Sequence, residues 1–342
     1  MGAVKALKPS IAAVYPAAAI PGGELQIRGT DLAGEHRPRV LLGDVTAPIL
    51  VGSDTFIIAR VPEGVSFGQL VVENDAQRSS PWVCEIGVEL ADSLHPVANP
   101  AIDPFGNVFT TFSGSRGQRT PVSVYQIDPS GTVHPFLSDL MNATGLCFDR
   151  EGMLYVSSRY DGIVYQVTPR GEMSVYVEGM GVATGIAFDK DENLYVGDRS
   201  GTIFKISRSR QIYVFATIEA SIAAYHLAIG PQGDLFVAGP TTSSFDAIHR
   251  ISVSGEVSVF YRGLGRPQGM AFDEEGRLYV AASLGGRRGV VRIGSNQKAE
   301  LFLSGPNIVG LAFHGSLLYL TTTGAIYRLS TSVRGLPPVN FV

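Results

Sequence analysis

Residues 144–158 read TGLCFDREGMLYVSS: an apolar strand, an acidic turn closed by glycine, and a second strand that ends in small polar residues. The phrase returns as TGIAFDKDENLYVGD at 184–198, HLAIGPQGDLFVAG at 226–239 and QGMAFDEEGRLYVAA at 268–282. Looser copies stand at 100–112 (PAIDPFGNVFTTF) and 310–322 (GLAFHGSLLYLTT). Their turn positions are Asp103, Asp149, Asp189, Gly230, Asp273 and His314, so the period is 46, 40, 41, 43 and 41 residues. A period of about 40 residues built from strands alone means radially stacked, four-stranded blades. Six copies therefore predict a six-bladed β-propeller over residues 97–342.

Within one unit, residues 143–178, the segments TGLCF, LYVSS, GIVYQV and MSVYV are the predicted strands. Each is rich in β-branched or aromatic residues and bounded by Gly, Pro, Asp or Ser. Both faces of a blade pack on neighbours, so apolar runs replace strict alternation. The last unit supplies only IVGLAF, LLYLTT and AIYRLS. Its fourth strand comes either from Val339–Val342 or from Ile86–Leu90, the second option latching the two ends of the ring together. The acids of the first turns, among them Asp103, Asp149, Asp189 and Asp273, are expected to be solvated turn residues.

Residues 9–90 follow another rule. They carry PSIAAVYP, PGGELQIRG, VLLGDVTAPIL, FIIARVP, GQLVVEN and PWVCEIGVEL, short strands separated by turn residues, which indicates an antiparallel sandwich. The stretch resembles an IPT/TIG immunoglobulin-like domain through Val14-Tyr15-Pro16, the Pro21-Gly22-Gly23 turn, Gly29 and the Val61-Pro62 pair. The resemblance implies a docking or spacer module, and so a protein partner. Residues 91–96 read as a linker. The expected fold class is thus all-β, an N-terminal sandwich followed by a propeller.

Composition excludes several function classes. The formal net charge is −4, and Arg28, Arg37, Arg39, Arg60 and Arg78 of the sandwich are scattered among acids, so nucleic acid is not an expected partner. No apolar stretch reaches membrane-spanning length, and MGAVKALKPS lacks the features of a signal peptide. As written the chain is expected to be soluble and cytoplasmic, or secreted if a leader was removed. Cys84 and Cys147 fall in different predicted domains inside strand patterns, so both are expected as buried thiols. The glycine clusters at 179–185 and 263–269 join strand to strand and lack the helix that a dinucleotide loop needs.

The propeller half resembles NHL-repeat proteins and, more loosely, the senescence-marker-protein/gluconolactonase family of six-bladed lactone hydrolases. In that family the residue before the first-strand glycine gives a carboxylate or amide to a divalent metal. The matching positions here are Ala98, Thr144, Thr184, Tyr225, Gln268 and Val309, none of them Asp, Glu or Asn. A calcium-type site needs several oxygen ligands, some of them anionic. No cofactor is therefore expected, and a divalent metal such as calcium enters only with a lactonase reading.

What stands at the channel mouth is polar and uncharged: Asn99, Asn142, Thr144, Thr184, Tyr225, His226 and Gln268. His226 occupies a position where four other units have Gly. A histidine there can act as general base or ligand, or simply pack. His95, His249 and His314 have no metal-pair spacing. On the face opposite the acidic turns, the loops between second and third strands carry Arg116, Arg119, Arg159, Arg199, Arg287 and Arg288. Converging guanidiniums suit carboxylate or phosphate, although Arg159 with Asp161 and Arg199 with Asp198 can equally pair at the rim. The loops Ser113–Gly117 and Pro240–Ser244 lie on this face too.

Two function classes fit. The primary expectation is a non-catalytic scaffold that holds an anionic small molecule, sugar acid or other carbohydrate, or acidic peptide on the arginine-bearing face. The alternative is a lactonase-like or lyase-like hydrolase, with His226 or Tyr225 as base and Arg159 or Arg199 on an oxyanion.

Overall fold

The repeated phrase is a hydrogen-bonded device. In its 149–153 turn the Asp149 carboxylate accepts the backbone N–H groups of Glu151 and Met153, each at 2.9 Å, while Gly152 takes a φ of 78° that a side chain would resist. Asp189 repeats this with Asp191 and Asn193 at 2.9 Å. The tyrosine of the LYV strand then closes over the acid: Tyr195 donates to Asp189 at 3.1 Å and Tyr279 to Asp273 at 3.0 Å. The expectation of solvated turn acids is corrected here, because Asp149, Asp189 and Asp273 are only 8, 6 and 0 % exposed. Several N–H and O–H donors on one carboxylate make such burial affordable.

The computed structural model describes residues 7–65, 67–75, 77–115, 117–243 and 245–337, and every element among them is a strand. Blade 1 consists of Ala101–Ile102, Val108–Thr111, Val124–Ile127 and Val133–Leu137. Blade 2 is Ala143–Phe148, Leu154–Ser158, Ile163–Val167 and Met173–Val177; blade 3 is Ala183–Phe188, Leu194–Asp198, Thr202–Ile206 and Ile212–Thr217. Blade 4 is His226–Ile229, Leu235–Ala238, Asp246–Ile251 and Val257–Leu264; blade 5 is Met270–Phe272, Leu278–Leu284, Arg287–Ile293 and Ala299–Ser304. Blade 6 has Ile308–His314, Leu317–Thr322 and Ile326–Ser330, and its outer strand is Val88–Ala91. The ring is therefore latched by the N-terminal side of the propeller sequence. Residues 339–342, the other option for that strand, lie outside the described residues. Leu90 and Ala91, read from sequence as sandwich end and linker start, are blade residues.

Successive blades stack through the same phrase. In four blades the phenylalanine before the turn position meets an aromatic of the preceding blade edge-on: Phe148 with Phe109 at 5.2 Å, Phe188 with Tyr155 at 4.8 Å, Phe272 with Phe236 at 4.8 Å and Phe313 with Tyr279 at 5.1 Å. Edge-to-face pairs of this kind favour one relative placement of neighbouring sheets, which nonspecific apolar burial does not.

Two compact units emerge. One takes the chain up to Val88 with Arg287–Val290 and Leu301–Asn307; the other takes Glu89–Gly286, Val291–Glu300 and the chain from Ile308. In the first, a sheet of Ser10–Tyr15, Glu24–Thr30, Phe56–Arg60 and Ile49–Gly52 faces a sheet of Trp82–Val83, Gln69–Asn74, Arg39–Leu42 and Val45–Ala47. Alternate residues Leu25, Ile27, Leu42, Ile57, Leu70 and Val72 fill the space between them at 0 % exposure. Ala18 and Ala19 pair in parallel with Leu303 and Ser304 on one side and with Glu85 and Ile86 on the other.

At Gly145, Gly185 and Gly310 neighbouring inner strands run so close that a Cβ has no space. A Cβ on Gly185 would stand 2.4 Å from the Tyr225 carbonyl oxygen and 2.9 Å from Leu227 Cδ1. Gly185→Ala is expected to cost about 1–3 kcal/mol by overpacking, whereas Gly324→Ala, with nothing within 4 Å of its Cβ, should stay within about 0.5 kcal/mol of the parent. Thermal unfolding of the two variants beside the parent checks this, and equal melting temperatures would contradict the close-approach account.

Candidate functional site

The inner strands of all six blades surround a cavity of about 210 Å³, lined by Leu146, Ile186, Leu227, Met270 and Leu311 among others. Small residues at one register of the phrase, Cys147, Ala187, Ala228, Ala271 and Ala312, also line it. Two polar side chains predicted from sequence belong to its wall, Asn99 and His226. The Asn99 amide is fully used: its NH2 donates to Met270 O at 3.0 Å and its oxygen accepts Leu311 N–H at 3.1 Å, tying three blades together. The His226 imidazole is different. It is 4 % exposed and has no hydrogen-bond partner among the described residues.

The other residues expected at the mouth hold the ring together. The Thr184 hydroxyl donates to Gly197 O at 2.8 Å and accepts Tyr225 N–H at 3.1 Å. The Thr144 hydroxyl donates to Asn142 O at 2.9 Å, and the Asn142 amide in turn grips Gly114 O and Ser115 O at 3.1 Å and Gly117 N–H at 2.9 Å. Tyr225 is 2 % exposed, its hydroxyl donates to Glu219 O, and burial pushes its pKa up to about 12. Its expected role as a base is corrected accordingly: a buried phenol spent on a backbone carbonyl holds its proton. Gln268 is half-buried, its backbone N–H donating to Ala281 O at 2.9 Å.

The arginines divide three ways. Arg159 donates to Gly114 O at 3.2 Å and Ser113 Oγ at 3.4 Å; Arg199 donates to Ile222 O at 2.9 Å and Ser221 O at 3.4 Å. Both are half-buried and lean on loop backbone. Arg287 stands over the Tyr15 ring at 4.7 Å in the sandwich unit. Arg116 lies outside the described residues. Asp198, the expected rim partner of Arg199, accepts Val182 N–H at 2.8 Å and the Ser200 hydroxyl instead. Asp161 accepts Tyr165 OH at 2.9 Å.

Residues 9–82 match the IPT/TIG domain model. The chain carries an IPT/TIG domain followed by a propeller. No curated protein matches it by sequence. Among solved structures it is similar to a gluconolactonase from Xanthomonas campestris, at 15 % identity and a TM-score of 0.60 over 72 % of this chain and 89 % of that one. It is also similar to an auxiliary nutrient binding protein from Bacteroides thetaiotaomicron, at 11 % identity and a TM-score of 0.55 over 95 % and 98 % of the two chains. Virginiamycin B lyase from Staphylococcus aureus matches at 15 % identity and a TM-score of 0.52 over 96 % and 97 %. These likenesses establish the fold.

A divalent metal of the lactonase type does not fit the residues present. The mouth hydroxyls are spent on backbone groups, and among the described residues no three His, Cys, Asp or Glu side chains converge on a possible metal position. The Cys147 thiol is held protonated by burial and by the charge of Asp149. What the sequence did not single out is the register of small residues that opens the cavity, whose only signal was the recurring Ala two positions before the turn.

Burial brings the His226 pKa down from 6.5 to about 4, so the folded protein holds a neutral imidazole. Unfolding frees that ring to protonate, and its contribution is complete above about pH 6.5 and lost as pH falls toward 4. The loss amounts to about 3 kcal/mol. His226→Phe should therefore show a weaker decline of stability between about pH 7 and pH 4 than the parent by that amount. Denaturant unfolding across this range decides it, and parallel curves would rule out a buried neutral imidazole.

Proposed function

We propose that the protein is a binding scaffold whose propeller takes an anionic small molecule, a sugar acid or an acidic peptide terminus, on the face carrying Arg159 and Arg199. The observation that carries this is the state of Arg199. Two loop carbonyls fix its guanidinium, yet no carboxylate pairs with it among the described residues, since Asp198 is spent elsewhere. A guanidinium has five N–H donors in a rigid fork, and two carbonyls leave some of them for a ligand. Arg159 sits at the corresponding position of the adjacent blade, so two pre-positioned cations belong to one face. The IPT/TIG domain serves as the docking module in this scheme. The similarity to a nutrient-binding protein over nearly the whole of both chains agrees with a binding role.

A hydrolase reading has less to work with, because a neutral His226 with a pKa of about 4 is a weak base and Tyr225 is committed. Isothermal titration with gluconate, other sugar acids and acidic peptides tests the proposal. Arg199→Met is expected to weaken binding of a carboxylate ligand about ten- to a hundredfold, and Arg159→Met with it to abolish binding. Undiminished affinity in the double variant would end the anion reading. A lactone panel discriminates the classes: buffer-level rates in both the parent and His226→Ala support the scaffold, and a rate that disappears in the variant would replace it with an enzyme.

A further inference from the structure

The channel cavity differs in chemistry from the arginine-bearing face. Its wall is made by the inner strands, and Leu336 and Pro337 belong to it as well. The segment that brings them there is strapped under the turns of blades 5 and 6. Leu336 N–H donates to Phe272 O and Gly335 N–H to Gly315 O, each at 2.9 Å, while Arg334 O accepts Glu274 N–H at 3.0 Å. Gly335 is packed so tightly that a Cβ there would stand 1.9 Å from Phe313 Cβ. The strap therefore gives the apolar cavity a floor.

Inside, one polar side chain is unspent. Asn99 is satisfied on both ends of its amide, whereas the imidazole of His226 has no partner among the described residues. The site is an exception built into the repeat. At the same register Gly145, Gly185 and Gly310 face backbone oxygens of the next blade that a Cβ would approach to 2.4, 2.4 and 2.3 Å. A ring nitrogen that no group among the described residues satisfies is open to a ligand that supplies the partner.

Size and polarity narrow the occupant. An apolar cavity of about 150 Å³ suffices for benzene, so about 210 Å³ has room for one ring with a small substituent. Charged molecules are excluded by the absence of a counter-charge among the described lining residues, and sugars by having several hydroxyls for a single partner. A neutral imidazole offers one donor and one acceptor, which is what a single hydroxyl matches. We propose that the cavity is a second ligand site, distinct from the arginine-bearing face, for an uncharged monocyclic aromatic molecule whose one hydroxyl pairs with His226.

Phenol and toluene are the probes, used on the full chain by titration calorimetry and thermal shift, with a phenol-soaked crystal. Phenol should bind and raise the melting temperature, and toluene should bind about tenfold more weakly for want of the hydrogen bond. His226→Phe is expected to remove the preference for phenol. Ala271→Leu, which fills the cavity, should abolish binding of both; if that variant fails to fold, the loss of preference in His226→Phe still decides. No binding of phenol by the parent, equal affinity for the two probes, or density for only a water at His226 in the soaked crystal would each overturn the proposal.

Discussion

Adjacent blades meet at their inner strands with no space for a side chain, and much of the propeller follows from this. A Cβ added at Gly145, Gly185 or Gly310 would stand within 2.4 Å of a backbone oxygen of the next blade. Backbones that close need hydrogen bonds across the gap, because an unpaired buried carbonyl is expensive. Hydroxyls from second strands supply them. Ser157 accepts Gly145 N–H at 2.8 Å and donates to Thr184 O, and Thr321 donates to Ala98 O at 3.0 Å, joining blade 6 to blade 1. This is why the repeated phrase ends in small polar residues after its LYV core.

The same economy explains why a channel mouth rich in polar residues is poor in free ones. Thr144, Thr184 and Asn142 look available in the sequence, but each sits where a neighbouring backbone needs a donor or acceptor. Asn99 goes further and reaches two blades at once. His226 alone of the predicted pair at the cavity wall stands outside this network. Its chemistry follows from isolation: with no partner among the described residues, desolvation sets its protonation.

The fold was legible because the period and the turn chemistry are local. A phrase of Phe, Asp, Gly and Tyr encodes a turn, an acid–tyrosine hydrogen bond and an edge-to-face aromatic contact within fifteen residues, and the fuller copies repeat them. The IPT/TIG segment was legible through its turn prolines and glycines. Long-range partners were not. That Val88–Ala91 completes blade 6, that Arg287 lies over Tyr15, and that Leu336 lines the cavity are contacts between positions far apart in sequence, with no repeat to announce them. Burial of the turn acids was misjudged for a related reason, since the tyrosine that shields each one lies on the following strand.

Charge is distributed unevenly between the two faces even though the net value is only −4. On the side of the first turns, acids find cations or hydroxyls: Asp234 with Arg250 at 2.5 Å, Asp273 with Arg277 at 2.6 Å, Asp189 with Tyr195. On the opposite side Arg199 leans on neutral carbonyls, and the nearby Asp198 bonds backbone N–H and a hydroxyl. Compensated charge serves the fold, whereas a fixed guanidinium with no carboxylate partner among the described residues leaves its field uncompensated. Arg199 thus departs from the compensated pattern of the other side, as His226 departs from the glycine register of Gly145, Gly185, Gly269 and Gly310.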